Sequence, residues 1–166
     1  NLIKKGVVIT KLLDSLILTE GVSSSDLVLG DKNGVMVAAR ILAYGPEYQA
    51  EIINPITDEK VSHEFDLSAC EFKQLPEGVD YSSNEFEFEL PVTKSKVVFK
   101  LITGLEENTI NEEINSRKKI GQSAEITTRM KHSIISVNGE SEKPAINSIV
   151  DNMLSRDSLA LREEMA

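Results

Sequence analysis

The feature that most constrains the fold is a change in hydrophobic period along the chain, from 3.6 residues to two and back. Apolar and polar residues alternate from Glu47 to Thr103, most clearly over Asn84–Leu90, where Phe86 and Phe88 are separated by glutamates. Such alternation predicts strands of an antiparallel sheet with one face in water. On either side, apolar residues recur at helical spacing. This order predicts an α+β fold, a small antiparallel β-sheet flanked by N-terminal and C-terminal helices.

The pattern divides the chain into three regions. Residues 1–46 form an N-terminal helical segment, residues 47–103 an antiparallel β hairpin region, and residues 104–166 a C-terminal helical region. Within the middle region, Asn84–Leu90 should pair with Lys96–Ile102 across a short turn.

Several residues predict the ends of helices. Asp31 is typical of an N-cap, and Gly45-Pro46 should end the same helix. Thr103 and Glu106 have the spacing of a capping box. For Val7–Leu18 the period does not separate helix from strand, and both remain open.

The C-terminal region is predicted to hold further helices. One runs through Ile126, Met130 and Ile134, and a later one has Pro144 in its first turn. The last helices carry two apolar stripes, which are Ile146, Ile149, Val150, Met153 and Leu154, followed by Leu159, Leu161 and Met165. We expect one small sheet to leave part of these stripes exposed; the alternative is that both stripes close the protein's own core.

The charge balance disfavours nucleic acid as a partner. The chain has 27 acidic and 18 basic side chains and a net charge of −9, whereas phosphate binding needs a basic surface. Two basic clusters, Arg117–Lys119 and Arg129–His132, have no aromatic residues between them that would stack on bases. The first cluster suits the C-terminal end of a helix dipole. The apolar runs are too short to span a bilayer, so no membrane partner is predicted.

The sequence offers no recognisable catalytic motif, and we expect a protein that is not an enzyme. Nucleotide-binding and hydrolase motifs are missing from the sequence. His63 falls in phase with the apolar residues of its strand and should cover a core edge, while Cys70 is expected to be a small buried hydrophobe.

The stretch Ile53–Leu67 is laid out like the hairpin of a zinc ribbon. Where a zinc ribbon has Cys-x-x-Cys, this chain reads Asn54-Pro55-Ile56-Thr57. Zinc needs about four nitrogen or sulfur ligands, so we expect neither a bound metal nor another cofactor here.

Several stretches occur together in a characteristic order, namely residues 29–33, 37–45, the hairpin, 86–91, 101–104, 134–139 and 154–162. In this order and spacing they resemble the baseplate hub and hub-assembly proteins of T4-like contractile-tailed phages. The similarity covers most of the chain from about residue 10, and relatives often carry Cys-Pro-x-Cys at the hairpin bend.

The resemblance implies a structural or assembly protein of the tail baseplate, located in the virion and assembled in the host cytoplasm. Its partners would be other baseplate or tail proteins, and homo-oligomerisation is left open. The alternative is a cytosolic adaptor or a non-catalytic subunit of an enzyme complex. We expect the partner contacts at the C-terminal helices, through Ile146, Ile149, Met153, Leu154, Arg156, Asp157, Leu161 and Arg162.

Overall fold

A computed structural model of the protein describes residues 7–71, 77–119 and 125–165. Within these ranges it has six α-helices and antiparallel sheets of two and three strands, which confirms the predicted α+β class. The helices are α1 (Val7–Leu16), α2 (Leu29–Tyr44), α3 (Gly104–Lys119), α4 (Glu125–Ser133), α5 (Lys143–Asp151) and α6 (Ser155–Glu164). The strands are β1 (Glu47–Ile53), β2 (Lys60–Asp66), β3 (Phe86–Glu89), β4 (Lys96–Phe99) and β5 (Ile134–Val137).

The chain divides into two compact units. The N-terminal unit comprises Asn1–Glu20 and Gly30–Gly78, and the C-terminal unit comprises Gly21–Leu29 and Val79–Ala166. The hairpin β1–β2 therefore belongs to the first unit, and the hairpin β3–β4 belongs to the second.

The sheet of the C-terminal unit has the order β3-β4-β5. Phe86 pairs with Phe99 and Phe88 with Val97, which confirms the predicted hairpin. The helix predicted through Ile134 is wrong at its end, because α4 stops at Ser133 and the next four residues form β5. Three of these four residues are β-branched, which favours a strand, and β4 supplies the backbone partners.

The core of the C-terminal unit lies between this sheet and the last helices. Phe86, Phe88 and Leu90 point inward as predicted, with Leu90 fully buried. The buried cluster consists of Leu90, Val97, Phe99, Met130, Ile134, Val137, Ile146, Val150 and Leu161. Burying each large aliphatic side chain contributes about 1.5–3 kcal/mol, so this cluster stabilises the unit.

The segment preceding α2 is bound to the start of α3. The backbone amide of Gly104 donates to the carbonyl of Leu27, and that of Leu105 donates to Ser25, both at 3.0 Å. Part of the predicted capping box forms, since the Glu106 carboxylate accepts from the Thr103 amide at 3.1 Å. These bonds satisfy amides that a helix start otherwise leaves without a partner.

In the N-terminal unit, the segment Val7–Leu18, for which helix and strand were both open, forms the helix α1 over Val7–Leu16. Helix α2 starts at Leu29, so the predicted N-cap Asp31 lies in its first turn. Its end is confirmed, because Gly45 takes a left-handed conformation with φ of 84° and its amide donates to Ile41.

Candidate functional site

The predicted contact surface on α5 and α6 is partly interior. The contact prediction is wrong for Ile146, Asp157 and Leu161. These residues are 0% exposed and lie inside the C-terminal unit, so they cannot touch a partner. Ile149 and Met153 are partly buried against the core.

The physical reason is the strand that the sequence reasoning missed. The sheet of the C-terminal unit adds β5 to the predicted hairpin of Asn84–Leu90 with Lys96–Ile102, and α5 packs on β5. Ile146 and Val150 join the same buried cluster as Val137 of β5. A wider sheet covers more of each helical stripe, and Leu161 of α6 completes the cluster.

The outer residues of this region border a shallow groove of about 200 Å³. Leu154 is 48% exposed, and Arg156 and Arg162 remain accessible to solvent. The groove is lined by Leu90, Thr93, Ser95, Ile149, Asn152, Met153, Leu154 and Asp157. The contact prediction for Ile149, Met153, Leu154, Arg156 and Arg162 stays a prediction.

Asp157 has an internal structural role. Its carboxylate accepts hydrogen bonds from the backbone amides of Val92 at 2.8 Å and Thr93 at 3.1 Å. Burial opposes its ionisation, but these hydrogen bonds outweigh that effect and lower the pKa of Asp157. The side chain is therefore an anion at neutral pH that holds the turn between β3 and β4.

Both basic clusters contribute side chains to ion pairs within the chain. Arg129 makes a two-pronged contact with Glu107, at 2.7 and 2.9 Å. Lys131 lies 2.6 Å from Asp151. Further pairs are Arg117 with Glu113, Lys118 with Glu125, and Arg129 with Glu125. His132 forms a hydrogen bond with Glu113 at 3.0 Å. The Arg and Lys side chains of these pairs already face carboxylates of the C-terminal unit.

The partly buried glutamates of α3 are also held as anions. Burial opposes ionisation of Glu106, but hydrogen bonds from Lys100 and from the Thr103 amide lower its pKa. The hydrogen bond with His132 is the main cause that lowers the pKa of Glu113. Both carboxylates are therefore ionised at neutral pH and are held by contacts within the C-terminal unit.

The hairpin of the N-terminal unit bends where the sequence predicted. The amide of Asn54 donates to Glu59, its side-chain oxygen accepts from Ile56 at 2.9 Å, and Asp58 has a φ of 55°. Among the described residues, no group of three His, Cys, Asp or Glu side chains is placed to hold a metal ion. Cys70 is exposed, so its predicted burial is wrong. It follows the short 3-10 turn Leu67–Ala69, after the hairpin has ended.

One face of this hairpin is apolar and exposed. In the register of β1 and β2, Tyr48 lies opposite Phe65 and Ile52 opposite Val61. Directly paired residues share a face of the sheet. These four side chains are 41–45% exposed. We call this surface the hairpin face, consisting of Tyr48, Ala50, Ile52, Val61, His63 and Phe65.

His63 lies on the hairpin face, in phase with its apolar neighbours, but the prediction that it covers a core edge is wrong, because every residue of β2 is exposed. Its ring meets the ring of Phe65 edge-on, with centroids 4.5 Å apart. It lies opposite Ala50, which places it in the centre of the face and among apolar neighbours.

The two units differ in how much apolar surface they bury. Eleven of the twelve buried hydrophobic side chains among the described residues belong to the C-terminal unit, and the remaining one is Leu13. Thirteen of the twenty-one exposed large hydrophobic side chains in the same ranges belong to the N-terminal unit. The described part of that unit therefore presents most of its apolar residues to solvent.

Sequence reasoning did not identify this surface, although its signal was present. Tyr48 and Ile52 in one strand, and Val61 and Phe65 in the other, alternate with polar residues, which predicts one apolar face for the hairpin. Alternation does not say whether that face meets a core, because period two is the same for a core and for an interface.

Comparison with known proteins gave no match, whether to a protein family, to a curated protein or to a solved structure. In the part of the chain that the structure describes, no helix combines the length and the apolar character needed to cross a membrane.

Proposed function

We propose that this protein is a structural or assembly component of the baseplate hub of a contractile phage tail, and that it acts through protein–protein contacts. The proposed role in protein–protein contacts rests on the exposure of apolar residues in the N-terminal unit. The described residues of this unit bury one large hydrophobic side chain and expose thirteen. Large exposed apolar patches mark sites of association.

Physical arguments support a unit that needs a partner. A two-stranded hairpin is marginally stable in water unless its apolar face is covered. Every residue of β2 and all but one of β1 are exposed. A small unit with so little buried area gains little hydrophobic stabilisation. Contact with another protein would supply the missing burial.

The baseplate part of the proposal is supported by the sequence resemblance described above. A tail hub is assembled from several proteins that hold one another in place. A subunit of such an assembly needs binding surfaces and no catalytic group, and its folded state depends on its neighbours.

Hydrogen exchange tests whether the N-terminal unit depends on a partner. In the isolated chain, we expect the amides of β1 and β2 to exchange quickly and those of β4 to be protected, since opening free energy follows local burial. Adding purified tail proteins should slow exchange in β1 and β2 and leave β4 unchanged. Equal protection of both hairpins in the isolated monomer would contradict the proposal.

Affinity purification tests the assignment to a tail. The tagged chain is isolated from cells that produce it in its natural setting, and the bound proteins are identified by mass spectrometry. We expect tail or baseplate proteins in constant ratio to the chain. Recovery of enzyme subunits instead would favour the adaptor alternative and overturn the baseplate assignment.

A further inference from the structure

We infer that the hairpin face binds a cationic amphipathic segment of a partner protein, one apolar stripe bordered by Lys or Arg. This inference rests on the part of the proposed function that makes the chain an interaction protein, and it adds the chemistry of the partner. It is argued from the net charge of the hairpin, whose acidic side chains lie on the opposite face and in the turn.

The opposite face of the hairpin is acidic. The register places Glu47 directly across from Asp66, and Gln49 across from Glu64. Glu51 is on this face as well, and its carboxylate lies 3.3 Å from the ammonium of Lys60. Residues 47–66 contain six acidic side chains and one basic side chain, so the hairpin carries a net charge of −5.

This charge is costly for the hairpin alone. Like charges directly opposite each other destabilise a strand pair. Glu47 and Asp66 are such a pair, and both strands expose them to solvent. A partner that brings cations to the edges of the hairpin face would reduce this repulsion, and it would cover the apolar side chains at the same time.

The same charge disfavours other occupants. A second copy of this chain would bring another net charge of −5 to a hairpin that already carries −5, and like net charges keep proteins apart. An anionic lipid surface would be repelled for the same reason, because such membranes attract basic segments. Electrostatic complementarity therefore selects a cationic protein segment.

The size of the face fits a short helix. Each strand has seven residues, which corresponds to a length of about 23 Å. A helix of about 15 residues has the same length. Its apolar stripe could contact Tyr48, Ile52, Val61 and Phe65, with basic residues on both sides of the stripe.

A binding experiment with defined peptides tests the inference. The probe is a fluorescent 15-residue amphipathic helix of Leu and Lys, and its counterpart has Glu in place of Lys. Fluorescence anisotropy should show that the chain binds the Lys peptide at least tenfold more tightly than the Glu peptide. Equal affinity for both, or binding of neither, would overturn the inference.

Variants locate the binding. The double variant Tyr48→Ser with Phe65→Ser should weaken Lys-peptide binding at least tenfold. The matched control is Leu42→Ser with Ile56→Ser, which removes two side chains of the same unit that are 88% and 91% exposed and lie outside the hairpin face. The control should change affinity less than twofold. Equal losses in the two double variants would contradict a site on this face.

A charge reversal keeps the test informative if the serine variant unfolds. Glu47→Lys with Glu64→Lys leaves the apolar side chains intact and changes the net charge of the hairpin from −5 to −1. The tenfold preference for the Lys peptide should then fall to less than about threefold. An unchanged preference would overturn the role of charge. Sedimentation that shows a dimer lost in the serine variant would instead assign the face to a second copy.

The two proposals fail separately. A chain that is recovered with tail proteins but does not bind the Lys peptide overturns this inference alone. A chain that binds the peptide on the hairpin face but is recovered with other proteins overturns the baseplate assignment alone.

Discussion

The carboxylate of Asp157 accepts a hydrogen bond from the backbone amide of Val92 at 2.8 Å, although the two residues are 65 positions apart in the chain. The same carboxylate accepts from Thr93. The first turn of α6 is thereby joined to the turn between β3 and β4. Asp157, which the sequence predicted as a contact residue for a partner, instead makes hydrogen bonds inside the C-terminal unit.

This bond predicts a dependence of stability on pH. The pKa of Asp157 is lowered from its usual value of 3.8 in the folded protein. The unfolded chain therefore binds more protons at low pH, and the free energy of unfolding falls as pH drops from about 5 through 3.8 toward the folded pKa. Asp157→Asn should lower stability at pH 7 and reduce this loss in acid, as measured by urea unfolding at several pH values.

The control for that experiment is Asp80→Asn. Asp80 also has a lowered pKa, but it accepts from Ser82, two residues away, at an exposed turn. A local bond of this kind adds little to tertiary stability. Equal effects of the two variants at pH 7 would contradict a structural role for the bond between Asp157 and Val92.

Gly104→Ala is expected to destabilise the protein by about 1–3 kcal/mol. A Cβ atom there would lie 3.1 Å from the carbonyl oxygen of Ser24 and 3.2 Å from the Cα of Ser25. These are backbone atoms, and hydrogen bonds hold their segment on α3, so it cannot easily move away. The measurement is the free energy of unfolding in urea.

The matched variant is Gly30→Ala, near the start of α2. A Cβ at Gly30 would have no heavy atom within 4 Å, and alanine favours helix by up to about 1 kcal/mol. This variant should be neutral or slightly more stable. A loss as large as that of Gly104→Ala would show that close packing is not the cause.

Thr128→Val is expected to raise the free energy of unfolding by about 1 kcal/mol. Thr128 is fully buried, and its hydroxyl has no hydrogen-bond partner among the described residues. Valine keeps the shape and removes the polar atom. Thr128→Ser keeps the hydroxyl and loses a methyl group, so it should lower stability by a similar amount. A less stable valine variant would indicate that the hydroxyl does have a partner.

Arg129 and Glu107 should show a coupling energy of about 1 kcal/mol in a double-mutant cycle. The guanidinium reaches both carboxylate oxygens of Glu107, and both side chains are less than one-third exposed. The cycle uses Arg129→Met and Glu107→Gln with chemical unfolding. Arg129→Lys should lose part of the coupling, because an ammonium cannot make the same paired contact. Additive single effects would mean that the pair contributes nothing.

The periodicity of the sequence determined the element types where local preference was strong. The alternation over Asn84–Leu90 gave β3 and its inward face, and Gly45 gave the end of α2, since both depend on the residues themselves. The same kind of reasoning failed at Ile134, because a β-branched run can continue a helix or form a strand. The position of β4 decided that choice.

The sequence by itself also determined which residues are apolar and how they are spaced, but not what covers them. Leu161 and Tyr48 are both regularly spaced apolar residues, yet the first is fully buried and the second is 44% exposed. The tertiary structure decided this, because burial depends on which elements meet. Leu161 joins a buried cluster with residues of the three-stranded sheet, whereas the two-stranded hairpin leaves its apolar face in water.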